Sequence, residues 1–162
     1  MVARARSRVG LISDTHGILR PEALAALRGS DFIVHAGDIG RADIVPQLAT
    51  LAPVTAVRGN NDRGDWAVGL PETTVLRVGG VVIYVIHDLG QLDLDPAAAG
   101  IHVVVSGHSH RPGSAERNGV LYINPGSAGP RRFALPVSVG ELAIAGRNIR
   151  SQLVTLRVDG AR

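Results

Sequence analysis

The chain contains no cysteine and no lysine. It is poor in aromatics and nowhere reaches the roughly 18 consecutive apolar residues of a membrane span. Without cysteine there can be no disulfide, thiolate zinc site or thiol nucleophile, which fits a reducing compartment. With aromatics at 3 %, Val, Leu, Ile and Ala must fill the interior. All 17 basic residues are Arg, which lifts the isoelectric point to about 10.5 although the net charge is only +3. Arg4, Arg6 and Arg8 cluster near the start, and Arg131 and Arg132 lie together later. Neither cluster alternates with aromatics, so a nucleic-acid platform is poorly supported. The opening MVARARSRVGLIS is basic but lacks the apolar stretch of a signal peptide. The expectation is a soluble, cytoplasmic protein with no membrane partner and with nucleic acid disfavoured.

What is present suits one domain spanning residues 1–162. A hydrophobic content of 45 % is enough to bury a core, and 20 Gly and nine Pro announce many turns. Val9–Ser13, Asp31–His35 and Val54–Val57 read as buried strands, separated by helical stretches at Pro21–Arg28 and Ala42–Leu51. Strands alternating with helices predict parallel βαβ pairing. Pro21 near one helix start and Gly29 just past its end match the usual asymmetry.

The second half reads as β-hairpins. Thr73–Val78 and Val81–Ile86 flank Gly79-Gly80, and Ser114–Arg117 and Val120–Ile123 flank Asn118-Gly119. Val137–Ala143 and Ile149–Leu156 suggest a third around residues 145–148. His102–Val105 is a further buried strand. Two sheets are expected, with most helices in the first half.

Chemistry-bearing residues follow the apolar strands. Ser13-Asp14-Thr15-His16-Gly17 follows the first, His35-Ala36-Gly37-Asp38 the second, and Arg58-Gly59-Asn60-Asn61-Asp62 the third. His87-Asp88 and Ser106-Gly107-His108-Ser109-His110 follow two more. Ligands of open α/β sheets bind at the carboxyl ends of strands. If these strands lie side by side, Asp14, His16, Asp38, Asn60, His87, His108 and His110 share one rim. So many carboxylates and imidazoles together are costly without a cation. Mixed N and O donors suit divalent transition metals, and seven suit two ions sharing a carboxylate.

The set D-x-H, G-D, G-N-x-D, a strand-end His and G-H-x-H, in this order, resembles the calcineurin-like metallophosphoesterases. Asn124-Pro125-Gly126-Ser127, preceded by Tyr122-Ile123, is similar to the small YfcE-type bacterial branch. The resemblance runs from about Val9 to Ala143. It implies an α/β fold, a two-sheet α/β/β/α sandwich of the metallo-dependent phosphatase type. It also implies two divalent ions, with Mn as first choice and Fe, Ni, Zn or Mg as alternatives. Asp14, His16, Asp38 and His110 would hold one ion; Asp38, Asn60, His87 and His108 would hold the other, with Asp38 bridging. Gly107 would let the chain turn, and an extended 108–110 segment would point both histidines the same way.

Two such ions can clamp the attacking and leaving oxygens of an in-line displacement at phosphorus, with a bridging hydroxide as nucleophile. Many relatives carry a His directly after the motif Asn; here that position is Asn61. Asp62 or a second water would then have to protonate the leaving group. That favours phosphodiesters over alkyl monoesters. The site residues implied for catalysis are Asp38, Asn60 and Asp62, with Asn60 and Arg131 contacting a small-molecule phosphoester.

Plainer assignments exist for each residue alone. Asp14 and Asp38 could be turn or N-cap residues, and Asn60 could favour a left-handed turn. His35 reads as a supporting or core histidine, His102 as structural, and Asp88 as either a partner for a ligand His or a solvated turn residue. At the level of the whole protein, a metal-binding scaffold of the retromer-subunit type is the alternative, and it would present a large exposed apolar patch. A homo-oligomer is possible.

Overall fold

The computed structural model describes residues 6–132 and 134–158. The first sheet holds β1 (Arg6–Ile12), β2 (Phe32–His35), β3 (Val54–Ala56), β9 (Ser138–Ala145) and β10 (Asn148–Thr155), in the order β10-β9-β1-β2-β3. The second holds β4 (Thr73–Val78), β5 (Val81–Ile86), β6 (Val103–Val105), β7 (Gly113–Arg117) and β8 (Val120–Asn124), in the order β4-β5-β6-β8-β7.

Within the first sheet β1, β2 and β3 run parallel, with Leu11 opposite Val34 and Val34 opposite Thr55. Within the second, β5, β6 and β8 run parallel, with Val85 opposite Val105 and Val105 opposite Ile123. Two sheets form, as expected, and the five strands that precede the candidate ligands do not all lie side by side. Three belong to one sheet and two to the other, because the Gly79-Gly80 hairpin starts a new sheet instead of extending the first. The carboxyl ends of both parallel sets still meet along one seam.

A core of Val9, Leu11, Val34, Val57, Ile83, Val103, Val105 and Leu142 fills the space between the sheets. Each such side chain contributes about 1.5–3 kcal/mol when fully buried. A second cluster lies outside the first sheet, under α1 (Pro21–Leu27), α2 (Ile44–Ala49) and α3 (Asp65–Val68). In α1, Ala23 and Leu27 are buried at i,i+4 spacing on one stripe. The outer layer on the second sheet is thin. A 3₁₀ turn, Leu89–Gln91, and the following segment cover Tyr84, Ile86, Val104 and Val120.

Element ends differ modestly from expectation. α2 is shorter than the expected Ala42–Leu51, and the last hairpin turns on Gly146-Arg147 alone. α3 and the 3₁₀ turn were not anticipated, since three or four residues display no helical period. No helix among the described residues is long and apolar enough to cross a membrane.

Candidate metal centre

All seven expected ligands lie along the seam, at the carboxyl ends of β1, β2, β3, β5 and β6. Two clusters form: Asp14, His16 and His110, and Asp38, His87 and His108. Asn60 joins the second, its Oδ1 3.1 Å from His87 Nε2.

Asp14 is fully buried. Its Oδ2 accepts hydrogen bonds from Ser13 Oγ at 2.8 Å and from the His108 amide at 3.1 Å. Its Oδ1 has no hydrogen-bond partner. Three imidazoles face that orphan oxygen, with Nε2 of His110 at 3.4 Å, of His16 at 3.7 Å and of His87 at 4.0 Å. A buried carboxylate oxygen left unpaired is costly. Nitrogen lone pairs and a carboxylate oxygen aimed at one point match the donor set of a divalent cation, so the residues fit the ions the motif pattern implies.

The second cluster makes the same demand. His87 Nδ1 donates to the Ala36 carbonyl at 2.8 Å. Its Nε2 then faces two acceptors, Asn60 Oδ1 and Asp38 Oδ2, the latter at 3.2 Å. Burial works to lower the His87 pKa, but the hydrogen bond and charge of Asp38, with the charge of Asp14, raise it overall. Burial likewise works to raise Asp38. The His87 hydrogen bond, the Asn61 amide and the charges of His87 and His16 outweigh it and hold Asp38 at about 2. The pocket wants positive charge beside these carboxylates. Asp38 Oδ2 also lies 3.7 Å from His16 Nε2, so one oxygen faces both clusters.

The backbone is unusual where the ligands sit. Asp14, His16, Asp38, His108 and His110 all have positive φ, between 45° and 73°. Non-glycine residues there cost about 1–2 kcal/mol each. The extended 108–110 segment expected from sequence is therefore corrected: both histidines are left-handed. His110 turns inward to Asp14 and is buried, while His108 stays half-exposed, its Nε2 3.9 Å from Asp88 Oδ2. They serve different clusters, as expected, by a different geometry. Asn60 is not among the left-handed residues, which removes the turn-former reading for it.

Gly107 does not have positive φ either. Its role is close approach: a Cβ there would overlap Ser13 Oγ and lie 2.6 Å from Asp14 Oδ2. Gly59 packs as tightly, since its Cβ would overlap the Asp38 amide and carboxylate.

Around the clusters a supporting layer fixes the loops. His35 is fully buried; its Nδ1 accepts from the Gly37 amide at 3.1 Å and its Nε2 donates to Thr15 Oγ1 at 3.0 Å. Desolvation lowers its pKa to about 4, so it is neutral, a supporting group as expected. His102 is structural, accepting from the Val82 amide. Asp88 accepts from the Gly90 amide and caps the 3₁₀ turn. Asn124 Nδ2 donates to the Gly107 carbonyl at 2.9 Å, and Ser127 Oγ lies 3.0 Å from the Asp14 carbonyl. The Asn-Pro-Gly-Ser turn thus braces both the histidine loop and Asp14, a task no sequence signal disclosed.

Asn61 donates from its amide to Asp38 Oδ1 at 2.9 Å and from Nδ2 to Oδ2 at 3.2 Å. Asp62 is buried, and its two oxygens accept from the Gly40 and Gly59 amides at 3.0 and 2.9 Å. Arg131 and Arg132 are exposed. After desolvation, which dominates, and the opposing carboxylates, Arg132 is among the charges acting on His16, whose pKa is lowered overall.

Comparison with known proteins agrees with this geometry. Residues 8–146 match the family model of the calcineurin-like phosphoesterase superfamily domain. A probable metallophosphoesterase of Methanothermobacter thermautotrophicus is 35 % identical over 158 residues, covering 90 % of this chain and 91 % of the relative. A phosphodiesterase of Methanocaldococcus jannaschii is 27 % identical, covering 74 % and 82 %. Among solved structures, Vacuolar Protein Sorting 29 from Cryptosporidium parvum superposes with a TM-score of 0.81 at 24 % identity, over 96 % of this chain and 93 % of that one. A novel archaeal phosphodiesterase gives 0.74 at 22 %, over 91 % and 99 %. With the family model matched from β1 to the last hairpin, the chain belongs to the calcineurin-like phosphoesterase superfamily.

Proposed function

We propose that the protein is a dimetal-dependent phosphodiesterase acting on a small phosphoester, with Mn as the working ion. The observation that carries this is the orphan Asp14 Oδ1, faced by the Nε2 atoms of His16, His110 and His87. Asp14, His16, Asp38 and His110 would hold one ion; Asp38, Asn60, His87 and His108 would hold the other. Bound there, two divalent ions supply Lewis-acid activation of water and neutralise charge on the phosphoryl oxygens.

The chain's own residues do the rest. The Ala36 carbonyl fixes the tautomer of His87 through Nδ1, which leaves Nε2 free to ligate. Asn61 holds Asp38 through two hydrogen bonds, so the position where many relatives carry a His is occupied here by a positioning residue. Arg132, by its effect on His16, and its neighbour Arg131 add positive potential toward an anionic substrate.

Asp62 does not fit the proton-donor role expected of it. Both its oxygens are engaged as acceptors of backbone N–H groups, which ties two loops together. With Asn61 in place of a His and both Asp62 oxygens engaged, the described residues at the site offer no free side-chain acid to an alkoxide leaving group. That supports diesters with good leaving groups over alkyl monoesters.

The test is hydrolysis of bis(p-nitrophenyl) phosphate by metal-stripped protein with and without Mn, beside Asp38→Asn. Mn-dependent turnover in the wild type, reduced at least about 100-fold in the variant, is expected for loss of a charge-stabilising group. Mn binding with no turnover on diesters or monoesters would overturn it and favour the scaffold reading.

A further inference from the structure

Beside the second cluster a cleft of about 730 Å³ opens between the β4–β5 hairpin and the 3₁₀ turn. Asn60 and His87 are part of its wall, so a group held at that cluster opens directly onto it. The outer wall is formed by Arg58, Glu72, Thr73, Tyr84, Gln91 and Asp93.

Tyr84 is the residue that points to a ligand. It is only 7 % exposed, its ring packed with Ile86, Ile101 and Val104. Its hydroxyl makes no hydrogen bond among the described residues, yet it is not sealed from solvent and its residue lines the cleft. A tyrosine buried to this extent normally finds a partner for its hydroxyl. The Thr73 hydroxyl and the Gln91 amide belong to exposed residues of the same wall and are available to a ligand.

Charge narrows the choice. Arg58 is paired with Glu72 at 3.0 Å, which offsets its positive charge. Asp93, with Asp88 nearby, leaves the wall negative. A wall of hydroxyls and an amide, with a negative rim, accepts hydroxyl groups and repels carboxylate or phosphate.

We propose that this cleft is the subsite for one alcohol arm of the diester, and that the arm is neutral and hydroxyl-rich, of the glycerol or sugar type. The proposal rests on the phosphodiesterase reading above. Bond making and breaking stay at phosphorus; the subsite adds binding and selection only.

Three chromogenic diesters that share a p-nitrophenyl group and differ in the second alcohol provide the test: methyl, glyceryl and carboxyethyl. With Mn present, kcat/KM for the glyceryl ester should exceed that for the methyl ester by about 10-fold, the discrimination expected when a site's polar groups find partners. The carboxyethyl ester should fall below the methyl ester. Tyr84→Phe should bring the glyceryl-to-methyl ratio most of the way to unity, and Gln91→Ala should lower it independently. Turnover without glyceryl preference, or a ratio that Tyr84→Phe leaves intact, would overturn the subsite alone. No turnover of any diester would remove the hydrolase reading and the subsite with it.

Discussion

Nε2 of His16 lies 3.1 Å from Nε2 of His110, and both atoms face the unpartnered Oδ1 of Asp14. Two ring nitrogens that close can share one proton, or both can donate lone pairs to one ion; the buried carboxylate beside them favours the ion. Calorimetric titration of metal-stripped protein with Mn should give two equivalents for the wild type. His110→Ala should give one; because the variant also loses a buried ring and its Nε2 contact with His16, the metal count rather than thermal stability is the readout. Two equivalents in the variant would remove His110 from the ligand set.

Gly107 tests the packing behind Asp14. Alanine there overlaps Ser13 Oγ and crowds Asp14 Oδ2, both on buried residues that cannot swing away. Gly107→Ala should destabilise by about 2–3 kcal/mol, as overpacking does, and weaken Mn binding. Gly113→Ala, where a Cβ meets nothing within 4 Å, should stay within about 0.5 kcal/mol. Chemical denaturation of both variants checks the pair, and equal stabilities would contradict the close approach.

His35 gives the metal-free protein a specific acid sensitivity. Its folded pKa is about 4, while the unfolded chain titrates near 6.5. Between those values the unfolded state binds a proton that the folded state refuses, so stability rises with pH through the window and is complete above it. At pH 5 the loss from this group is about 2 kcal/mol. Urea unfolding at pH 7.5 and 5 should show a larger acid loss for the wild type than for His35→Gln, by about that amount. Subtracting the variant removes the contributions of His16 and His87, which it retains. Equal acid losses would show that His35 is not held neutral.

Asp62 separates a structural role from an acid role. Asp62→Ala strips acceptors from the buried Gly59 amide and the more exposed Gly40 amide and should cost about 1–3 kcal/mol. Asp62→Asn keeps one acceptor and should cost less. With a diester whose leaving alcohol is poor, the pH–rate profile of Asp62→Asn should keep its alkaline limb. Loss of that limb would restore Asp62 as the leaving-group acid.

How much of this was readable beforehand divides along physical lines. The buried strands were legible because they are short apolar runs followed by Gly, Asp, Asn or His, and the polar β7 was legible through the Asn118-Gly119 turn, because two-residue hairpins need positive φ. The clustering of the seven candidate ligands was legible because metal chemistry restricts residue type, and all seven sit one to five residues past a strand. What could not be read depends on contacts distant in sequence. Gly107 looked like a turn residue, since nothing near it in the chain announces the Ser13 and Asp14 side chains against it. His108 and His110 looked extended, because an alternating pattern carries no trace of left-handed φ. Asp62 looked like an acid, because its two amide partners come from Gly40 and Gly59, one of them 22 residues away. The Tyr84 cleft was invisible for the same reason: it exists only where the 3₁₀ turn folds over β5.

Among the described residues the first and last strands, β1 and β10, belong to the first sheet, and the second sheet is spliced in between residues 73 and 124. Asp14, His16, Asp38 and Asn60 follow strands of the first sheet; His87, His108 and His110 follow strands of the second. Each cluster takes members from both. The chemistry therefore belongs to a joint, and neither sheet could carry it alone. A cation seated there rivets the two sheets together. On the dimetal reading, any change that lets one slide against the other, however far from the seam, would be felt as weakened metal binding before it is seen as unfolding.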